Sequence, residues 1–353
     1  MISRKTIKVE PKEKPQPKAK LIVIIVHQNS PDHLKLCMQS LLEQSYGNLD
    51  VIFIDNNSSD KEGLEFMHEN YDSEKKVTII SNTDNRSFAK AANRGIKIAV
   101  GREAKYISVI EPEVIISPDY YEKLIDYCQK RPKVASATGK IFIYDFVNLK
   151  PTDIIDSSGL KAFRNRRIEE AGKGMVDDGQ FNEEKEIFGV SGICPLYRVE
   201  ALENVKIMEE YFDEDFEEYK EDMDLAWRFL LYGWKNVYLP DAIAYHSEME
   251  EDRAKKHSIK VQKEKAFRNQ LLMEKKNELW GSFWKDFGPI MSVKLATPLY
   301  ITFAQPHLWK GYLGYVKRFP RILKKRFLIM KNKKASAKEM GGWFKGKSFQ
   351  RKG

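Results

Sequence analysis

The chain has 353 residues, of which 42% are hydrophobic, 12% aromatic and 31% charged, with a formal net charge of +9. Residues 281–353 hold 17 Lys and Arg against two acids, a net of +15, which leaves −6 on residues 1–280. Basicity therefore belongs to the tail, whose partner is an anionic membrane or nucleic acid, while the mildly acidic body handles something else. The length suits one large α/β domain with an appendage. Cys37, Cys128 and Cys194 are far apart, which excludes a disulfide framework or zinc knuckle and implies a reducing compartment. Residues 1–20 are basic and Pro-interrupted, lack the apolar run of a signal peptide, and read as a disordered leader. No apolar run approaches the ~20 residues of a spanning helix, so the expected location is cytoplasmic.

Leu21–Val26 is six apolar residues, a buried parallel strand, and it ends in the polar run His27-Gln28-Asn29-Ser30. A helix from about Asp32 to Gln44 leads to a second strand, Asp50–Ile54, followed by Asp55-Asn56-Asn57-Ser58-Ser59-Asp60. Strand, helix, strand of this length is a right-handed crossover unit, and ligands bind beyond the carboxyl ends of such strands. No G-x-G-x-x-G follows the first strand, which argues against a dinucleotide oxidoreductase. Val77–Ser81 is a third strand, a helix runs from Asn85 to Val100, and Tyr106–Ile110 ends in Glu111-Pro112-Glu113. Two carboxylates flanking one residue suit a hard cation such as Mg²⁺ or Mn²⁺. Pro118 to Gln129 reads as a helix, Val134–Tyr144 as a strand, and Lys150 to Glu186 as loop-rich, with a basic patch at Arg164-Asn165-Arg166-Arg167.

The chain is organised around Phe212 to His246. Leu225, Ala226, Phe229 and Leu230 make one helical face, Gly233 stands at its C-terminal cap, and Glu221, Asp222 and Asp224 fall in its first turn. Helix dipole and free N–H groups favour anions there, so the three acids are expected to be ionised and aimed at one point. Val237 to Tyr245, with a turn or bulge at Pro240–Asp241, then reads as a strand that delivers His246.

The order F-D-E-x-F…E-D-x-D-L…R…G-W…V-Y-x-P…H over these residues resembles the second half of family 2 glycosyltransferases, especially bacterial rhamnosyltransferase-like enzymes. Val23–Asn29, Ile54–Asp60, the Asn85–Gly95 segment (with Ser87 where that family has glycine), and the Gly189–Arg198 segment resemble further motifs of that family, over about residues 20–280. Phe267-Arg268-Asn269 is another recurrent feature. The resemblance implies a GT-A fold, a Rossmann-like mixed, mainly parallel sheet flanked by helices, over 21–280. It implies Asp222 as catalytic base, and a nucleotide-sugar set of His27, Asn29, Asp55, Asn56, Asn57, Asn85, Phe88, Asn93 and Glu111. Metal ligands fall on Glu113 and His246, in an E-P-E version of the family's D-x-D, and sugar contacts on Gly192, Glu221 and Trp227. The implied donor is a nucleotide sugar, first a rhamnosyl one, and the implied acceptor a saccharide or lipid-linked glycan in cell-surface polysaccharide synthesis.

From Trp280 aromatics and aliphatics interleave with Lys and Arg and are broken by Pro289, Pro298, Pro306 and Pro320. Residues 281–330 are expected to form basic amphipathic helices on an anionic membrane surface, with 311–330 too basic for a core, and 331–353 to be disordered. Two other readings remain open at this level. One is a GT-A protein that binds carbohydrate or nucleotide without chemistry. The other is nucleic-acid binding by the tail through Trp343, Phe344 and Phe349.

Overall fold

A strand with no polar residue along six positions has to be covered on both faces, and in the computed structural model β1 (Leu21–His27) is buried throughout, at the middle of a ten-stranded sheet. Residues 18–29, 31–247 and 256–345 are described; the expected leader at 1–17 and the last residues, 346–353, lie outside them. Ile22, Ile24 and Val26 enter one core layer and Leu21, Val23 and Ile25 the other, as the two-residue period of a strand requires.

On one side β1 pairs in parallel with β2 (Leu49–Asp55), which pairs with β3 (Val77–Ser81); on the other it pairs with β4 (Tyr106–Ile110). Beyond β4 come β11 (Leu196–Arg198), antiparallel to both neighbours, then β6 (Val134–Asp145) and β12 (Lys235–His246), parallel to each other, and β10 (Lys185–Ile187). Helices α1 (Pro31–Leu42), α2 (Glu62–Tyr71) and α3 (Phe88–Gly101) complete the crossovers, and α4 (Tyr120–Gln129) and α5 (Val199–Val205) fill further connections. This is the expected mixed, mainly parallel α/β architecture with helices on both faces.

Two features bring distant residues together. The register of β12 against β6 shifts between Leu239 and Ile243, at the expected Pro240–Asp241 bulge, since proline cannot donate to the ladder. Past the bulge β12 pairs antiparallel with the short β5 (Val114–Ile116), which sets His246 opposite Val114 and Ser247 N–H on the Glu113 carbonyl at 3.0 Å. Helix α6 (Glu221–Leu231) starts after Lys220, whose φ is +67°, and ends where Gly233 turns left-handed at φ +81°.

Three expectations are refined or corrected. Residues 150–186 are loop-rich as expected but also hold short strands: β7 (Lys150–Ser157) pairs with β6, and β8 (Leu160–Ala162) with β9 (Ile168–Glu170). These strands are short and their alternation is irregular, so their pairing comes from partners distant in sequence. Second, 311–330 does contribute to a core. Helix α10 (Leu308–Asn332) lies along α7 (Lys256–Asn277), with Ile322, Lys325 and Ile329 buried. Lys325 is tolerated there because Glu210 Oε2 at 2.8 Å, Asp215 Oδ2 at 2.6 Å and Asp213 surround its Nζ. Third, the expected disorder from 331 does not hold up to residue 345. Helix α11 (Ala337–Trp343) opens with a Ser336–Glu339 capping box, and the following Phe344 is buried. Arg166, from the basic patch, is buried and joins Glu278, Asp286 and Ser282, with its guanidinium 3.9 Å from the Phe344 ring centroid.

Candidate active site

At the carboxyl ends of β1 and β4 a cleft of about 280 Å³ is lined by Val26, Gln28, Asn56, Phe88, Glu111, Pro112, Glu113, Glu218, Tyr219 and Glu221. Four carboxylates thus share one opening, and five of the expected site residues meet there. Glu218, which the sequence reading passed over as one of several acids, joins them.

The acids differ in state because their surroundings differ. Burial pushes the Glu221 carboxyl well above the usual range, and neighbouring Asp222 pushes it further. Asp222 is also raised by burial, but two backbone donors oppose that: Met223 N–H at 2.7 Å to Oδ1 and Gly192 N–H at 3.0 Å to Oδ2. Both acids are thus pushed toward the neutral form, Glu221 further than Asp222, whose charged form the two N–H groups support. Removal from solvent, and then the Glu113 charge, push Glu111 up to about 7, although its exposure along the cleft damps the effect. Asp224 corrects the expectation of three acids aimed at one point. Two residues around the helix from Asp222 it faces the core, where Arg228 and Lys276 approach its Oδ2 at 2.9 Å each and Asn277 donates to Oδ1 at 2.8 Å.

The loop before α6 holds Glu217, Tyr219 and Lys220 at φ near +66°, +70° and +67°. Non-glycine residues cost energy in this region. The buried Asn269 amide offsets it by donating to the carbonyls of Phe216, Glu218 and Tyr219 at 2.8, 2.7 and 2.8 Å.

Behind the cleft His246 Nδ1 meets Asp156 Oδ2 at 2.7 Å, which leaves Nε2 as the ring's free lone pair. Glu113 Oε2, brought alongside by the β5–β12 pairing, is buried without a hydrogen-bond partner. A hard-oxygen donor and an imidazole held this way fit a divalent cation completed by diphosphate oxygens. Among the described residues no three His, Cys, Asp or Glu converge into a cluster that could hold a metal by itself. Glu170, beside Asp222, is pushed up to about 8, chiefly by burial, and accepts from Ser191 Oγ at 3.0 Å. Asp156 closes an apolar run, Ile154-Ile155-Asp156, a signal of the same kind as Asp55; no local pattern singles out Glu170.

Several expected contacts fall elsewhere. His27 and Asp55 are buried behind the cleft wall, 3.3 Å apart, and Ser58 N–H approaches both Asp55 oxygens. Asn29 Oδ1 accepts from Ser59 and Asp60 N–H at 2.9 and 3.2 Å, tying the two strand-end loops together, and Asn57 is exposed at φ +57°. Asn85 and Asn93 line a neighbouring polar groove, and Asn93 is engaged with the Phe212 backbone in both directions. Trp227 is buried edge-on to Phe344 at 5.1 Å, so it packs rather than presenting itself to a sugar. Ser87 has φ −59°, open to any residue, so its replacement of glycine leaves the backbone unstrained.

Comparison with known proteins shows the family and the fold. The model of "Glycosyl transferase family 2" matches residues 22–206, more than half of the chain. The chain belongs to glycosyl transferase family 2. This family member is 24% identical over 228 residues to a Mesorhizobium japonicum protein named N-acetylglucosaminyltransferase, covering 63% of this chain and 50% of the relative. It is 27% identical over 124 residues to glycosyltransferase GlyG of Streptococcus pneumoniae serotype 4, covering 35% and 39%. It spans about half the length of the rhizobial relatives it matches. Its fold is similar to the crystal structure of GalNAc-T7 with UDP, GalNAc and Mn²⁺, with a TM-score of 0.60 and 12% identity, covering 83% of this chain and 54% of that one. The fold is GT-A.

Proposed function

We propose that this family 2 member is an inverting glycosyltransferase that moves a sugar from a nucleoside-diphosphate donor to a hydroxyl of a saccharide or lipid-linked glycan, in cell-surface polysaccharide synthesis. The observation that carries the reading is the Glu221–Asp222 pair at the start of α6, where Glu221 lines the cleft and the adjacent Asp222 is steadied by two backbone N–H groups. Asp222 accepts the acceptor hydroxyl proton, and that oxygen forms a bond to the anomeric carbon. The bond from the anomeric carbon to the diphosphate breaks, and the nucleoside diphosphate leaves with the electron pair. Protonated Glu221 donates a hydrogen bond to a sugar oxygen, and Phe88 and Asn56 contact the nucleotide across the cleft. Glu113 and His246 would hold Mg²⁺ or Mn²⁺, which when bound offsets the charge of the leaving diphosphate. Asp156 keeps the His246 ring turned for that task. Asp55 and His27 shape the nucleoside pocket from behind.

Rhamnose is the first donor candidate, on the resemblance of the motifs. An N-acetylglucosaminyl donor is the second, favoured by the names of the rhizobial relatives. Among the described residues no helix is long and apolar enough to cross a membrane. The proposed location is the cytoplasmic face of the cell membrane, where the basic extension meets anionic lipid and a lipid-linked acceptor is presented. The test is a panel of nucleotide sugars scored for nucleoside diphosphate release, with wild type and Asp222→Asn side by side. Release from one donor, lost in the variant, supports the reading; no release from any donor with any acceptor overturns it in favour of a GT-A binding protein.

A further inference from the structure

Fourteen of the twenty-two exposed large apolar residues among the described ones lie in residues 280–327. Helix α9 (Phe287–Ala304) has one charged residue, Lys294, and buries only Ile290 and Ile301 among its apolar side chains. Leu295, Leu299 and Phe303, four apart on one face, are 68%, 64% and 84% exposed. A soluble surface scatters such residues singly; a continuous stripe marks a binding face.

Helix α10 continues this surface and shows what it faces. At roughly 100° per residue its circumference divides into three sectors. One, with Ile322, Lys325 and Ile329, is buried against the catalytic domain. The next carries exposed Trp309, Leu313, Val316, Leu323 and Phe327. The third is a ridge of exposed Lys310, Lys317 and Lys324, each about two turns from the last. Residues 287–338 contain 12 Lys and Arg and no acid. Arg318, Arg321 and Lys325 are paired with Glu217, Glu210 and Asp215, whereas the ridge lysines have no acidic partner among the described residues. An apolar stripe bordered by lysines, with Trp and Tyr interspersed, complements a lipid leaflet with anionic headgroups.

We infer that α9 and the outward sector of α10 insert into one leaflet of an anionic membrane, Leu295, Leu299 and Phe303 entering the acyl boundary and the Lys310–Lys317–Lys324 ridge lying on the headgroups. This deepens the membrane part of the proposed function and does not depend on its chemistry. It also adds apolar insertion to the electrostatic tail, because Lys294, Arg318, Arg321 and Lys325 are paired with acids within the fold while the apolar stripe is exposed.

The experiment uses the full chain in flotation with vesicles of phosphatidylcholine alone and of phosphatidylcholine with phosphatidylglycerol, at low and high salt. Wild type floats with the anionic vesicles and retains part of that binding in high salt. Leu299→Glu/Phe303→Glu and Lys310→Glu/Lys317→Glu/Lys324→Glu each weaken it at least about tenfold. All these side chains are exposed, so circular dichroism and vesicle-free nucleoside diphosphate release stay at wild-type values, which separates failure of this inference from failure of the transferase reading. Equal flotation of wild type and both variants overturns the inference. So does a concentration-dependent dimer in light scattering that the α9 variant dissolves while wild type ignores lipid; the face would then be a contact between two copies.

Discussion

The Gly192 N–H donates to Asp222 Oδ2 at 3.0 Å, so the base proposed for the reaction is held by a backbone group thirty residues before it. Gly192 belongs to the segment Val190–Cys194, which runs beneath the start of α6, and a Cβ there would stand 3.4 Å from both Asp222 Cβ and Oδ2. Gly192, proposed as a sugar contact, is exposed, and its backbone also approaches the carboxylate proposed as base.

The two acids of the pair should respond oppositely to neutralisation. Asp222→Asn is expected to lower turnover at least ~10²-fold, the scale of a lost general base. Burial and then Asp222 push the Glu221 carboxyl well above its usual range, toward the neutral form, so Glu221→Gln should cost less than about tenfold. In wild type kcat/KM should rise with pH as Asp222 ionises, with its acidic limb above the ordinary aspartate range because burial raises that group. Steady-state kinetics across pH checks both points; similar losses in the two variants would remove the division of roles.

Asp156→Asn should act through His246. The 2.7 Å contact fixes the imidazole, and loss of such an outer partner typically weakens metal affinity ~10–100-fold. The expected outcome is a higher Mn²⁺ concentration for half-maximal activity with little change at saturation. Isothermal titration of Mn²⁺ in the presence of nucleoside diphosphate gives the same comparison without turnover.

Asn269→Ala should loosen the left-handed loop that leads into α6. The contacts to three loop carbonyls, shared between the two amide hydrogens, are lost, at about 1 kcal/mol per hydrogen bond, for a total of about 2–3 kcal/mol. Because Glu218 and Glu221 ride on that loop, kcat should fall more than KM rises, measured well below the lowered Tm. A variant as stable and active as wild type would show the loop to be held by its other contacts.

Lys325→Met should destabilise the protein by about 3–5 kcal/mol at neutral pH, since Glu210, Asp213 and Asp215 are left around a missing cation. Burial alone would raise Asp213, but Lys276 and Lys325 hold it well below the carboxylate range. Its folded value is depressed, so its contribution to wild-type stability is present above about pH 4 and is lost as pH falls through the folded value. Denaturant titrations should therefore show the gap between variant and wild type widest at pH 7 and narrowing below about pH 4, where protonation relieves the repulsion.

By itself the sequence determined the elements whose pattern is local and strong. The apolar runs at β1 and β2, the helical face of Leu225 to Leu230, the Pro240 bulge and the motif order that resembles family 2 all carry their signal within a few residues. Which carboxylate serves which purpose was decided by tertiary structure. Asp213, Asp215, Asp222 and Asp224 lie within twelve residues and look alike in a row of acids. Asp222 sits next to the cleft-lining Glu221 with its carboxylate on the Gly192 N–H, while Asp213 and Asp215 are neutralised by Lys325 more than a hundred residues away, and Asp224 by Lys276. The same holds for α10, read from composition as too basic to pack. A charge can be buried only where opposite charge meets it, and that meeting depends on the path of the whole chain.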